Sequence, residues 1–392
     1  MPKVCLFSAE IHRRCSKAYA KKKKLCPYVI LSKKTNTMCK LSIKQRLALN
    51  LWSRYISNQA KIPELRQLFW ESTLRCNLKC RHCGSDWTAT AGLKDMPFAD
   101  FLKVIDSITP HVNPNKVLII ISGGEPLMRK DLEQCGLELY RRGFPWGMVS
   151  NGLFMTPEKF NSLMDSGLRS LTISLDGFEE DHNWMRGNPK SFECAVRAIK
   201  LAIAEPTLAF DVVTCVNPRN YPYLDEMADF LASIGLKRWR LFTIFPSGRG
   251  KDPELQITDE QFRGLLDFIV RMRETKKIHA SFSCEGFLGE YEGKVRDHYY
   301  TCQAGLSIAS VLCDGSISAC TSIRSDYHQG NIYKDDFWEV WENKFEPYRN
   351  REWMKKDECA DCKVWKFCKG NGMHLRDSDG KLKLCNYKKL YK

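Results

Sequence analysis

The chain has 392 residues, 43% hydrophobic and 27% charged, an ordinary globular balance with length for two or three units. No apolar run is long enough to span a bilayer, and Leu25–Leu31, broken by Pro27 behind four lysines, reads as neither signal peptide nor anchor. The net charge of +15 sits mostly in residues 1–54, where fourteen Lys/Arg face Glu10 alone. The rest of the chain is close to neutral, so the overall charge implies no nucleic-acid-binding face. The basic arm reads as a solvated tail that can also touch an acidic peptide, anionic lipid or nucleic acid.

Eighteen cysteines are far more than packing needs. With no secretory signal visible and Cys-x-x-Cys pairs that close very small rings, metal in a reducing cytoplasm is the better reading than disulfides.

Ile43–Tyr55 reads as a helix, with Leu47, Leu51 and Tyr55 at helical spacing. Strands are predicted at Leu68–Thr73, Val117–Ser122, Trp146–Ser150, Ser170–Leu175, Phe210–Val216 and Arg238–Phe245. Helices are predicted at Phe98–Ile108, Lys130–Arg142, Pro157–Asp165, Ser191–Ala204, Tyr221–Ser233 and Asp259–Thr275. Six alternating units imply a parallel α/β sheet, too few for a closed eight-stranded barrel, so a partial (β/α)6 barrel is expected. Its functional loops belong at the carboxyl ends of the strands. Beyond about Ser283 the rhythm stops and Cys, Trp and Gly accumulate, as in a small domain held by metal. The expected division is an arm and helix (1–54), a barrel (55–282) and an iron–sulfur domain (283–392).

The first strand leads into Cys76-Asn-Leu-Lys-Cys80-Arg-His-Cys83. Three thiolates can hold three irons of a 4Fe–4S cube and leave the fourth open, as a catalytic metal requires; a zinc knuckle is the alternative. The second strand leads into Gly123-Gly124-Glu125-Pro126. The glycines permit close backbone approach by a ligand, with free amides, nearby carbonyls and Glu125 available to it; an ordinary turn is the alternative.

Together, in order, spacing and strand context from about Leu68 to Gly250, these segments resemble the radical S-adenosylmethionine (SAM) superfamily. The resemblance implies that SAM chelates the open iron, that one electron splits its carbon–sulfur bond, and that a 5′-deoxyadenosyl radical abstracts hydrogen from a substrate. It implies SAM contacts at His82 near the adenine, at Ser150-Asn151, at Ser174 and Asp176, and at Arg186. Arg186 has the planar fork that captures carboxylates, with a surface ion pair as the alternative. It also places the backbone of Phe245–Gly250, including Gly248, along the adenine; a phosphate loop, without the Walker pattern, is the alternative. Cys302, Gly315 and Cys320, followed by Cys359-x2-Cys362-x5-Cys368 and Cys385, resemble the SPASM extension, which usually holds two auxiliary 4Fe–4S clusters. One departure is Gly372, where the pattern expects a cysteine. Cys359, Cys362, Cys368 and Cys385 then complete one cluster, and Cys302 and Cys320 lack partners unless Cys313 or Cys284 stands in. A twitch-like grouping of Cys302, Cys320, Cys359 and Cys362 is the rival, and zinc the remaining alternative. Cys5, Cys15, Cys26, Cys39, Cys135, Cys194 and Cys215 lack metal spacing, and the last three read as core residues.

The resemblance implies a peptide or protein substrate and an electron donor such as flavodoxin or ferredoxin. Oxidation or decarboxylation of a small molecule such as a tetrapyrrole is the alternative, and a non-catalytic iron–sulfur electron carrier the alternative of another class. The wording around Leu68–Trp87 further resembles radical SAM proteins found beside small lipoproteins.

Overall fold

The computed structural model describes residues 41–85, 92, 94–283, 285–323 and 327–391, all within one compact unit spanning 38–392. The basic arm with its four cysteines, Trp87 and Cys284 lie outside the described residues.

After helix α1 (Ile43–Lys61) the chain alternates strand and helix: β1 (Gln67–Thr73), α2 (Phe98–Ile108), β2 (Leu118–Gly123), α3 (Leu132–Arg141), β3 (Trp146–Ser150), α4 (Pro157–Asp165) and β4 (Leu168–Ser174). Two helices follow, α5 (Glu179–Arg186) and α6 (Ser191–Ile203), then β5 (Ala209–Val216), α7 (Leu224–Ser233), β6 (Arg238–Thr243) and α8 (Asp259–Thr275). The six strands pair in parallel in chain order. The sheet continues on both sides. β7 (His279–Phe282) joins β6 in parallel, and β8 (Ile308–Val311) joins β1 in parallel. β9 (Ser316–Ser318) and β10 (Gly330–Asn331) follow β8 antiparallel, giving one open ten-stranded sheet.

Alternation sorts the strand residues by face. Leu68, Trp70, Ile119, Ile121, Trp146, Met148, Leu171, Ile173, Trp239 and Leu241 are 2% exposed or less, in one core under the helices. Each such side chain contributes about 1.5–3 kcal/mol. The opposite face carries polar side chains among apolar ones. Thr172 pairs in register with Asp211, and Arg240 Nε donates to Asp211 Oδ2 at 2.8 Å. A face freed from core duty can carry chemistry.

α1 starts at a capping box in which Ser42 Oγ accepts from the Gln45 amide. Its inward side differs from the one its sequence advertises. Leu49 packs with Phe287, Tyr300 and Val364, and Trp52 Nε1 donates to Thr301 Oγ1 at 2.9 Å. Leu47, Leu51 and Tyr55 face outward. Leu49, Trp52 and Ile56 also recur at helical spacing, so two apolar seams compete and only the tertiary partner selects one.

The last part of the chain holds short helices, α9 (Phe337–Asn343), α10 (Glu346–Arg349), α11 (Trp365–Cys368) and α12 (Asn386–Leu390), around buried Trp341, Tyr348 and Arg376.

Candidate active site

The cysteine loop leaves the carboxyl end of β1. Cys80 is buried, Cys76 and Cys83 are partly buried, and all three are unbridged. Burial, with added repulsion from Glu125, Cys80 and Cys83, pushes the Cys76 thiol up to about 12. All three stand on one short loop. Burial also raises Cys80, against the pull of Arg186, whose Nη1 lies 3.7 Å from its Sγ. Without metal these groups favour the protonated thiol, so metal loading must displace protons.

The loop is fixed from several sides. The Arg81 amide donates to Met185 O at 2.8 Å, at the end of α5. Arg249 donates twice, through its amide to Cys83 O at 2.9 Å and through Nε to Cys80 O at 2.8 Å. Gly248, at φ +53°, lies so close that an added Cβ would stand 2.6 Å from Cys83 O. The turn from Phe245 to Gly250 therefore sits flush on the cysteine loop, with the Phe245 ring against Gly84.

Gly-Gly-Glu-Pro works differently from its first reading as a cradle with free amides. An added Cβ would lie 2.1 Å from Thr73 O at Gly123 and 2.3 Å from Arg75 O at Gly124. The Gly124 and Glu125 amides donate to those same carbonyls at 2.8 and 2.9 Å. The glycines admit the backbone of the neighbouring strand end, and two of the amides are already engaged. Glu125 is 1% exposed, and burial raises its pKa. Its Oε1 accepts from Ser150 Oγ at 2.8 Å and the Leu127 amide at 3.2 Å, and Oε2 accepts from the Asn151 amide at 2.8 Å. Pro126 opens the short turn behind it. Asn151 Nδ2 then donates to Asn77 Oδ1 at 2.8 Å, linking the end of β3 to the cysteine loop.

Beyond β4 lies a buried charge cluster. Asp176 is fully buried, with Oδ2 at 2.7 Å from Arg186 Nη2 and 3.3 Å from His82 Nε2. Its Oδ1 accepts from the Cys215 amide at 2.9 Å. Burial opposes its charge, but Arg186 and His82 outweigh that and hold the carboxyl well below the usual carboxylate range. Burial likewise opposes the Arg186 charge, and Asp176 and Cys80 more than restore it. His182 Nδ1 accepts from the Asp176 amide at 2.9 Å, and burial, then Arg186, lower its pKa to about 3, so it is neutral. The Ser174 hydroxyl has no protein partner among the described residues.

Sequence reasoning named His82, Ser174, Asp176 and Arg186 but missed Asn77, His182, Arg249 and the role of Cys215. Asn77 and Arg249 stand inside quoted motifs. Cys215, read as core, is an alternate-face residue of β5 beside Asp176, and only the sheet register shows that. Three buried polar atoms lack partners here: Asn77 Nδ2, His82 Nδ1 and Arg186 Nε. Unmet donors around three free thiols fit an iron–sulfur centre with a polar, carboxylate-bearing ligand.

Among the carboxyl-terminal cysteines, Cys302, Cys362 and Cys368 pack against the cluster of Leu49, Phe287, Tyr300 and Val364. Burial and the neighbouring Cys385 and Cys362 push the Cys368 thiol up to about 12, and Cys385 is raised by burial and by Glu358, Cys359 and Cys362. Arg376 Nη2 lies 3.3 Å from Cys359 Sγ. Cys302 is held differently. Burial opposes its thiolate, but Arg351 and the Met373 and Ala304 amides lower its pKa. At Gly372 an added Cβ would lie 2.8 Å from His374 Cε1, so an imidazole occupies the space of the expected cysteine. His374 also meets the Phe245 ring edge-on, 5.1 Å between centroids. Cys313, buried on the β8 side, donates its amide to Glu71 at 3.1 Å.

The radical SAM superfamily matches residues 70–231, and the SPASM iron–sulfur cluster-binding domain matches residues 302–363. The chain is 31% identical over 316 residues to the mycofactocin maturase MftC of Mycolicibacterium smegmatis, covering 78% of this chain and 77% of that protein. It is 27% identical over 327 residues to an AdoMet-dependent heme synthase of Methanosarcina barkeri, covering 78% and 90%. Among solved structures, native anSMEcpe with bound AdoMet superposes with TM-score 0.66 at 21% identity, covering 83% of this chain and 94% of that one. Streptococcus suis SuiB bound to precursor peptide SuiA superposes with TM-score 0.61 at 17% identity, covering 93% and 83%. No described helix is long and apolar enough to cross a membrane. The chain belongs to the radical SAM superfamily: it is a radical SAM enzyme with a SPASM domain, and its cofactors are S-adenosylmethionine and 4Fe–4S clusters.

Proposed function

We propose that this enzyme removes a hydrogen atom from one residue of a peptide or protein and so modifies it. The observation that carries this reading is a cavity of 140 Å³ beside the cysteine loop, lined by Glu71, Ser85, Ser122, Phe245, Thr321 and Ser322. It adjoins Gly84 and Gly123, hence the SAM locus. Pockets for drug-sized molecules run to about 300–1,000 Å³. A space of 140 Å³ suits one side chain and is small for a tetrapyrrole. No Lys or Arg is among the described residues lining it, whereas a tetrapyrrole presents carboxylates that call for cations.

When bound, the cluster and SAM supply one-electron cleavage of a carbon–sulfur bond and, through it, hydrogen-atom abstraction. The chain's own residues do the positioning. Cys76, Cys80 and Cys83 would hold the cluster. Arg186, its Nη2 anchored by Asp176 and its Nε unpartnered, would bind the SAM carboxylate, and Ser174 would offer its hydroxyl. His82 would lie at the same locus, and Gly248 lets the turn pack closely on the cysteine loop. Glu125, through Ser150 and Asn151, keeps the β2 and β3 ends at a fixed separation.

The second reading, oxidation or decarboxylation of a tetrapyrrole, is favoured by the heme synthase relatives. Anaerobic incubation with SAM, reductant and either coproporphyrin III or candidate peptides encoded nearby decides between them. A mass change in a peptide with stoichiometric 5′-deoxyadenosine, lost in Cys76→Ala, supports the proposal. Turnover of the tetrapyrrole alone sinks it.

A further inference from the structure

The outward face of α1 carries Ile43, Leu47, Leu51 and Tyr55 at intervals of four, exposed by 89, 62, 58 and 50%. Leaving such a seam in water is costly, since each covered side chain contributes on the order of 1.5–3 kcal/mol. The helix cannot turn it inward. Its other side is pinned by Leu49 in a buried cluster, by Trp52 Nε1 on Thr301, by Gln45 Nε2 on Glu290 O at 3.0 Å and by Ser53 Oγ on Lys366 O at 3.3 Å.

The helix contains Lys44, Arg46, Arg54 and Lys61 and no acid, and eleven further Lys/Arg precede it in residues 1–42. That charge selects the occupant. The chain's own amino-terminal arm and a second copy of the helix both carry positive charge and repel it. A lipid surface takes a broad apolar face, and this seam is one residue wide. A single i, i+4 row is the groove-matching geometry of helix against helix. From Ile43 to Tyr55 it runs about 18 Å, some three turns of a facing helix.

We propose that this seam docks an acidic amphipathic helix of the peptide or protein that the enzyme modifies, so that recognition is separated from the reacting residue. The inference rests on the peptide reading above.

The test uses the full reconstituted chain and a fluorescein-labelled 21-residue Leu/Glu peptide with leucines in one helical row, beside a scrambled peptide of equal composition. Anisotropy should show the ordered peptide bound at least tenfold tighter than the scramble, with binding weakened by salt. Leu47→Ser/Leu51→Ser should lose at least tenfold while its thermal midpoint shows the fold intact. Equal binding of both peptides, or no loss in the variant, overturns the docking face. So does seam-dependent capture by phosphatidylglycerol vesicles in place of the peptide, or seam-dependent dimerisation. Tetrapyrrole turnover by a chain that still captures the ordered peptide would overturn the peptide reading alone. Equal modification of a true peptide substrate by wild type and variant would overturn the docking face alone.

Discussion

Arg186 concentrates the logic of the site in one side chain. Asp176 takes one of its nitrogens, Cys80 Sγ lies near another, and Nε is buried without a partner. A charge-assisted hydrogen bond contributes about 1.5–3 kcal/mol. Arg186→Ala should therefore weaken SAM binding about 10- to 100-fold. Arg186→Lys should recover only part of it, because the fork that engages Asp176 and a carboxylate together is gone. Calorimetric titration of the iron-loaded protein with SAM checks this, and an unchanged Kd in both variants would return Arg186 to a structural ion pair. Glu285 makes a second residue-level case. It is 1% exposed, its Oε2 accepts from the Thr243 amide at 3.3 Å, and Oε1 has no partner. Burial raises its pKa to about 7 despite the Thr243 hydrogen bonds. An acid raised on folding stabilises the fold most below its unfolded pKa and loses that stability as pH rises through 7. Glu285→Gln should therefore be near neutral at pH 4.5 and stabilising by about 3 kcal/mol at pH 8. Melting curves of both proteins across that range test it; parallel curves would mean that Glu285 is already ionised in the fold.

The elements were legible where their patterns were long. α2, α4 and α8 match their predicted spans, and β3 is the same five residues. α5 was missed because its buried positions include Asp181, His182 and Arg186, which carry no apolar period. β7 to β10 were missed because four residues or fewer cannot display an alternation. The helical period of α1 was visible, but the choice between its two seams was not. At the joint of β1 and β2, Gly123 is required by the approach of Thr73 and by φ +140°. Gly123→Ala should cost at least 1–3 kcal/mol and displace the cysteine loop. Lower thermal stability together with weaker iron retention is the expected outcome, and a variant matching wild type in both would show that the joint can relax.

At the scale of the molecule, the cysteines of the last ninety residues lead to a countable expectation. Cys359, Cys362, Cys368 and Cys385 make four potential ligands, while Gly372 supplies none and Arg351 Nη2 donates to Cys302 O. Reconstituted protein should hold about eight irons, four per cube, rather than about twelve. Cys368→Ala should remove about four of them, and Cys302→Ser none. Iron analysis with Mössbauer spectroscopy checks this, and loss of a whole cluster in Cys302→Ser would restore the twitch-like grouping. The order of Cys76, Cys80, Cys83, the Gly-Gly turn and Arg186 along the chain carried the resemblance to the family and the cofactors it implies, and the alternation of strand and helix patterns carried the fold class, because both are local requirements written in consecutive residues. The pairing of Asp176 with Arg186 and Cys215, the use of the glycines to admit Thr73 and Arg75, the outward seam of α1, and the imidazole in place of a cysteine were decided only by tertiary structure. Apart from His374 beside Gly372, each joins residues whose partners lie elsewhere in the chain, and packing, not sequence distance, sets which groups meet.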